Sequence, residues 1–176
     1  VGRAAWLIRE KGAEPYSILV LTYSNGSADD LARRLRAELG TDATAVWCGT
    51  FHAFGQELLR LYGERLGLSA APKLVDRVDG LFLLEAEYDR LKLDHYFDLQ
   101  EPLRGLKSVL DSISRAKDEL CSPDRYWELA GAMPAGEARD RALEAADVYK
   151  VYDAALRRRG WVDFGDLIMR SVELLS

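Results

Sequence analysis

A chain of 176 residues is long enough for one large domain or two small ones with a real core. Its 48% apolar and 30% charged residues are those of a soluble globular protein, and no apolar run approaches the roughly 20 residues that cross a bilayer. A formal charge of −5 argues against a large nonspecific nucleic-acid surface.

That charge is unevenly placed. Residues 1–70 hold eight basic and eight acidic side chains, so the other 106 carry the whole excess of acid. A polyanion contact is therefore expected to be local and on the first part. Cys48 and Cys121 make no disulfide framework and have no metal-ligand spacing, which points to a reducing, cytoplasmic setting. The chain has no basic-then-apolar leader and no initiating Met, so Val1 is not expected to be the natural start.

The apolar side made by Ala4, Ala5, Leu7 and Ile8 predicts a helix over residues 2–11, ended by Gly12. A short apolar run, Ile18–Leu21, then reads as a buried parallel strand. A helix is expected from about Ala28 to Leu39, with Leu31, Leu35 and Leu39 on one face, Ser27 as its cap and Gly40 at its end. The plan repeats in a strand Val46–Gly49 and a helix carrying Phe54, Leu58, Leu59 and Tyr62. Ligands sit outside the carboxyl ends of such strands, which singles out Thr22–Asn25 and Thr50–His52.

The segment 67–72 (GLSAAP) breaks the pattern and marks a subdomain boundary. Beyond it helices are expected at Arg77–Leu91, Pro102–Lys117, from Pro123, about Glu137–Arg159 and Phe164–Leu175, the last capped by Asp163. Cys48 is expected as a buried thiol in its strand.

Taken together, ILVLTYSNGSADDLARRL, VWCGTFHAFGQELLR and the tail WVDFGDLIMRSVELL resemble three motifs of the UvrD/Rep type of superfamily 1 DNA helicases: motif Ia, the GTFH motif and the DF-x-DL segment. Their order and spacing agree over essentially the whole chain, and VGRAAWLIREKGAEPYSI resembles the helix after the Walker A loop. The resemblance implies an internal stretch between Walker A and Walker B. It also implies an α/β fold, mostly helical: part of a RecA-like P-loop NTPase parallel sheet with an inserted all-helical subdomain. Residues 1–74 and 160–176 would belong to the motor core, and 75–159 to the insert.

The activity so implied is that of an ATP-dependent DNA helicase that translocates on single-stranded DNA and unwinds duplex. ATP and Mg²⁺ would be cofactors of the parent protein. None is expected on this stretch, because the 176 residues hold no G-x-x-x-x-G-K-[ST] run and no run like DEFQD. The implied partners are single-stranded DNA and duplex junctions, with no membrane. Two strands make too small a sheet, so copies of the isolated stretch are expected to pair strands with one another if it folds alone. Two other readings stand beside this one: a non-catalytic, helicase-like protein-interaction module, and the motor part of a RecB/AddA-like helicase–nuclease.

In the family both loops lie along single-stranded DNA, and the residues suit that task. Hydroxyls of Thr22, Ser24 and Thr50, the Asn25 amide and the helix N–H groups after it can donate to phosphates, as can His52. Tyr23 offers a face for a base, and Phe51 belongs to the same motif. Each has a plainer reading. Tyr23 could simply be packed, Phe51 and Phe54 could be core, Thr50 and Ser27 turn or cap residues, and His52 structural. Arg33, Arg34 and Arg36 read as a solvated face. Lys117, in an S-x-x-K…P stretch similar to one in the family, is either a duplex contact or a surface lysine. The family usually has Asn-Lys-Ala-Ala where this chain has Asn25-Gly26-Ser27-Ala28, a lost cation that should weaken or alter DNA contact.

Overall fold

The computed structural model describes residues 1–69, 71–97 and 100–176; Ala70, inside the expected break, lies outside them. The chain forms two compact units, Val1–Glu57 and Leu58–Ser176.

In the first unit α1 (Gly2–Lys11) ends at Gly12, whose φ of 63° is left-handed and open to glycine at little cost. Strand β1 (Leu19–Thr22) leads into α2 (Asn25–Leu39), and β2 (Trp47–Thr50) into the start of α3 (Phe51–Tyr62). β1 and β2 are parallel, in a register that opposes Leu19 to Trp47 and Thr22 to Thr50. Ala4, Ala5, Leu35, Leu39 and Val46 close the core beneath this pair. Leu35 and Leu39, four residues apart, are the buried edge of α2.

Both strands run one residue later than the sequence reading, and the start of α2 differs more. α2 starts at Asn25, three residues before Ala28, and its cap is Ser24 instead of Ser27. Ser24 has extended backbone, its Oγ accepts the Ser27 N–H at 3.1 Å, and its carbonyl takes the first intrahelical bond from Ala28. Two serines three apart compete for one cap, and the residue that can stay extended at the strand end takes it.

The second unit is built on α5 (Pro102–Asp118) and α7 (Glu137–Arg159). Leu106, Val109, Leu110 and Ile113 recur at three- and four-residue spacing and pack with Tyr149, Tyr152 and Leu156 of α7. α4 (Arg77–Ala86) is shorter than the expected Arg77–Leu91, giving way to one turn of 3-10 helix at Tyr88–Arg90. α6 (Pro123–Gly131) and α8 (Phe164–Leu175) complete the unit. Asp163 caps α8 with a reciprocal capping box to Asp166, as its position before an apolar run predicts.

Two short strands were not expected. β3 (Lys73–Leu74) pairs in parallel with β4 (Trp161–Val162). Two-residue strands carry too little periodicity to read. Packing also joins residues 58–74 to this unit, where Leu59 and Leu68 lie in one cluster with Val162 and Leu167.

Two of the unit's buried charges hold separate elements together. Glu144 of α7 accepts the backbone N–H groups of Asp94, His95 and Tyr96 at 2.8–3.1 Å and faces His95 Nδ1 at 3.0 Å. Burial pushes its carboxyl up, but these donors outweigh burial and hold it below the usual glutamate value. Gly105 makes the same loop possible, since a Cβ there would overlap the Tyr96 carbonyl.

Lys117 is the other. It has no solvent exposure, so it is not a surface lysine and cannot reach a DNA phosphate; both sequence readings of it are corrected. Its Nζ lies 2.8 Å from Asp163 Oδ2 and 2.9 Å from Asp166 Oδ2, under the rings of Tyr149 and Tyr152. Its stem fills the space where a side chain at Gly165 would sit, 2.7 Å from its Cβ. Burial raises the Asp166 carboxyl against the pull of Lys117. Arg170 continues the network to Asp153 at 2.7 Å.

Two outcomes follow from this packing. Lys117→Met leaves the buried Asp166 and half-buried Asp163 carboxylates without this cation and should lower the unfolding free energy by about 3–5 kcal/mol in urea denaturation, where a loss under about 1 kcal/mol would contradict the network. The depressed Glu144 value stabilises the fold above the ordinary glutamate pKa, a contribution lost as pH falls through the depressed one. Amide exchange at Asp94, His95 and Tyr96 should therefore accelerate selectively in Glu144→Gln and, in the parent chain, only under acid conditions.

Candidate nucleic-acid interface

Parallel pairing brings the two singled-out strand ends together. Thr22 and Thr50 are register partners, so the turns that follow them leave the sheet side by side. Tyr23 and Phe51 emerge next to each other with ring centroids 5.1 Å apart and planes tilted by 43°. Tyr23 is 90% exposed, which excludes the packed reading. Phe51 is not core either: at 37% exposure it is the neighbour on which the tyrosine ring leans. Phe54 is half-buried, edge-on to Trp47 at 5.2 Å. The exposed tyrosine is thus a supported platform, since one side of its ring contacts Phe51 and the rest faces solvent.

Around it the polar groups fall into two classes. Thr50 is buried and its Oγ1 accepts the Ala53 N–H at 3.1 Å, so it caps α3. The Ser24 hydroxyl is likewise engaged, bonding Ser27 through both its N–H and its Oγ. Both residues act first on the helices. Asn25 is exposed, and the Asn25 and Gly26 amides precede the first intrahelical bond of α2. They sit at the positive end of a 15-residue helix. His52 is exposed on the first turn of α3, and Thr22 is half-buried at the sheet's end.

Part of the acid near this surface is answered. Asp30 pairs with Arg33 at 2.6 Å and with Arg34 at 3.6 Å, on the solvated face expected for those arginines. Gly26 has open space around its Cβ position, so nothing in the packing requires glycine there. Cys48, behind the platform, is half-buried, and burial raises its thiol pKa. The helix start at Asn25 was the feature that sequence reasoning missed, and the Ser24–Ser27 spacing was its available signal.

Such a surface offers an exposed aromatic face, helix N–H donors and a neutral amide within one patch. That is the donor set that takes a phosphodiester with its base stacked alongside.

Comparison with known proteins adds to this geometry. The family model described as UvrD/REP helicase N-terminal domain matches residues 1–176. The chain is 31% identical to the ATP-dependent DNA helicase PcrA of Bacillus subtilis and 32% identical to that of Leuconostoc citreum, in both cases over 99% of its length. It is 30% identical to DNA helicase II of Escherichia coli, again over 99% of its length. It spans 22% of the length of each of these relatives.

The packing separates cap residues from display residues in a way that stability can report. Ser24→Ala should cost about 1 kcal/mol through the lost cap. Tyr23→Ala should stay within about 0.5 kcal/mol, as surface changes do, both being read from thermal or urea unfolding.

Proposed function

Because the chain belongs to the UvrD/REP helicase N-terminal domain family, we propose that it forms part of an ATP-dependent DNA helicase and grips single-stranded DNA at the paired strand ends. The observation that carries this reading is the exposed Tyr23 propped on Phe51, directly beside the open helix start at Asn25 and Gly26. In the proposal Tyr23 stacks on a base, Phe51 braces it, and the Asn25 side chain, the first amides of α2 and His52 donate to phosphates. Thr22, Ser24 and Thr50 contribute mainly by fixing the two turns, since Ser24 and Thr50 are committed to helix caps.

ATP binding and release in the whole protein would close and open two motor domains, with this patch holding and releasing the strand in step. The 176 residues contain no G-x-x-x-x-G-K-[ST] run, so no step of nucleotide or Mg²⁺ chemistry is assigned to them. The same proposal divides the chain into a motor core, 1–74 and 160–176, and an insert, 75–159. The pairing of Lys73–Leu74 with Trp161–Val162 supports that division, because it seats the two sides of the insert next to each other. Duplex junctions as substrate, a cytoplasmic setting and strand addition between copies at the open edges of the two-stranded sheet belong to the proposal as well.

Fluorescence anisotropy with a labelled oligo-dT strand tests it. Tyr23→Ala should weaken binding by about 1–3 kcal/mol while leaving the fold intact. Gly26→Lys, which has room for its side chain, should tighten binding and steepen the salt dependence by about 0.7 in log–log slope. Unchanged affinity in both variants would remove the patch from the DNA path.

A further inference from the structure

The second parallel strand pair has a crevice of its own. β3 and β4 run into residues 75–77 and 163–165, where α4 and α8 begin, and the ground outside the carboxyl ends of parallel strands is where α/β proteins place ligands. Here it is a cleft of about 130 Å³. Its floor is apolar, made by Val75, Leu110, Ile113 and the Tyr152 ring, all buried. Its rim carries the carboxylates of Asp76, Asp111 and Asp163 and a single guanidinium, that of Arg77.

Neither helix start is open to an anion. Asp76 accepts the Val78 and Asp79 N–H groups at 2.8 and 2.9 Å, and Asp163 accepts that of Asp166 at 2.9 Å. Each positive helix end is therefore answered by its own carboxylate. Lys117, beneath the floor, offsets one charge, and the rim stays acidic. Arg77 pairs with Asp111 across the mouth with its side chain 59% exposed, so a guanidinium already rests where the rim favours one.

We propose that this cleft is a docking slot for an arginine or lysine side chain on a basic segment of a partner protein. The floor takes the aliphatic stem and the rim carboxylates take the head, the division of labour by which long cationic side chains bury carbon and keep charge at a surface. Arg77 is a built-in competitor for Asp111 that the incoming cation displaces. The surplus of acid over base in residues 71–176 draws a basic segment in and turns a polyanion away. The inference is independent of the DNA-gripping patch.

The test is an NMR titration of the isotope-labelled 176-residue chain with the peptide acetyl-Gly-Arg-Gly-amide, following the amides of Arg77, Ser114 and Gly165. These should shift saturably, and acetyl-Gly-Glu-Gly-amide should leave them still. Asp76→Asn, which keeps its cap, and Asp111→Asn should each raise Kd about fivefold, while Arg77→Ala should lower it about threefold by removing the competitor. Opposite signs from neighbouring substitutions are not what a damaged fold gives. No localised shift with the arginine peptide, equal shifts with the glutamate peptide, unchanged Kd in the variants, or shifts produced instead by thymidine monophosphate would each overturn the proposal.

Discussion

Everything the first unit offers to a ligand depends on the parallel register of β1 with β2. Opposing Thr22 to Thr50 brings two turns that are distant in sequence to the same edge, each releasing an aromatic residue and then a helix. A slip of one residue would send alternate side chains to opposite faces and separate Tyr23 from Phe51. The strands carry few polar side chains, so register rests on apolar contacts below them. Leu35, Leu39 and Val46 supply these, with Ile18, Val20 and Cys48 packed alongside.

In the second unit the constraint is electrostatic. A cation with no access to water holds two carboxylates that belong to the start of one helix, and an arginine passes the arrangement on to a third acid. Buried pairs of this kind are poor sources of net stability but strict in geometry, because any displacement leaves a charge unanswered in a low-dielectric interior. The sequence around Lys117 then makes sense as a set: Gly165 leaves room for the lysine stem, and Asp163 and Asp166 are both cap residues and counter-ions.

Where the pattern was long, the sequence was readable. Among the described residues the eight helices, the glycine stops at Gly12, Gly40 and Gly160 and the Asp163 cap follow from three- and four-residue spacing and local capping chemistry. Both long strand–helix units and the clustering of Thr22–Asn25 with Thr50–His52 follow too, because an apolar run before a helix leaves few alternatives. What stayed hidden was set by distant partners. Nothing local distinguishes a lysine that covers a helix from one that dives beneath it, and Lys117 is buried only because Asp163 and Asp166 arrive forty-six residues and more later. Phe51 looks like core by composition and is displayed because its strand ends there. The two-residue strands β3 and β4 have no pattern to show.

The pairing of β3 with β4 also has a mechanical meaning. Because the two strands run parallel, residues 76–159 leave from the carboxyl end of one strand and come back to the amino end of its neighbour, a crossover that spans the strand pair. A body attached at two separated points resists rotation about either of them. It can also vary in length, because the entropy of closing a connection between fixed ends grows only logarithmically with its size. The loops of the crossover can therefore lengthen, while Lys117 keeps α5 tied to Asp163 beside β4.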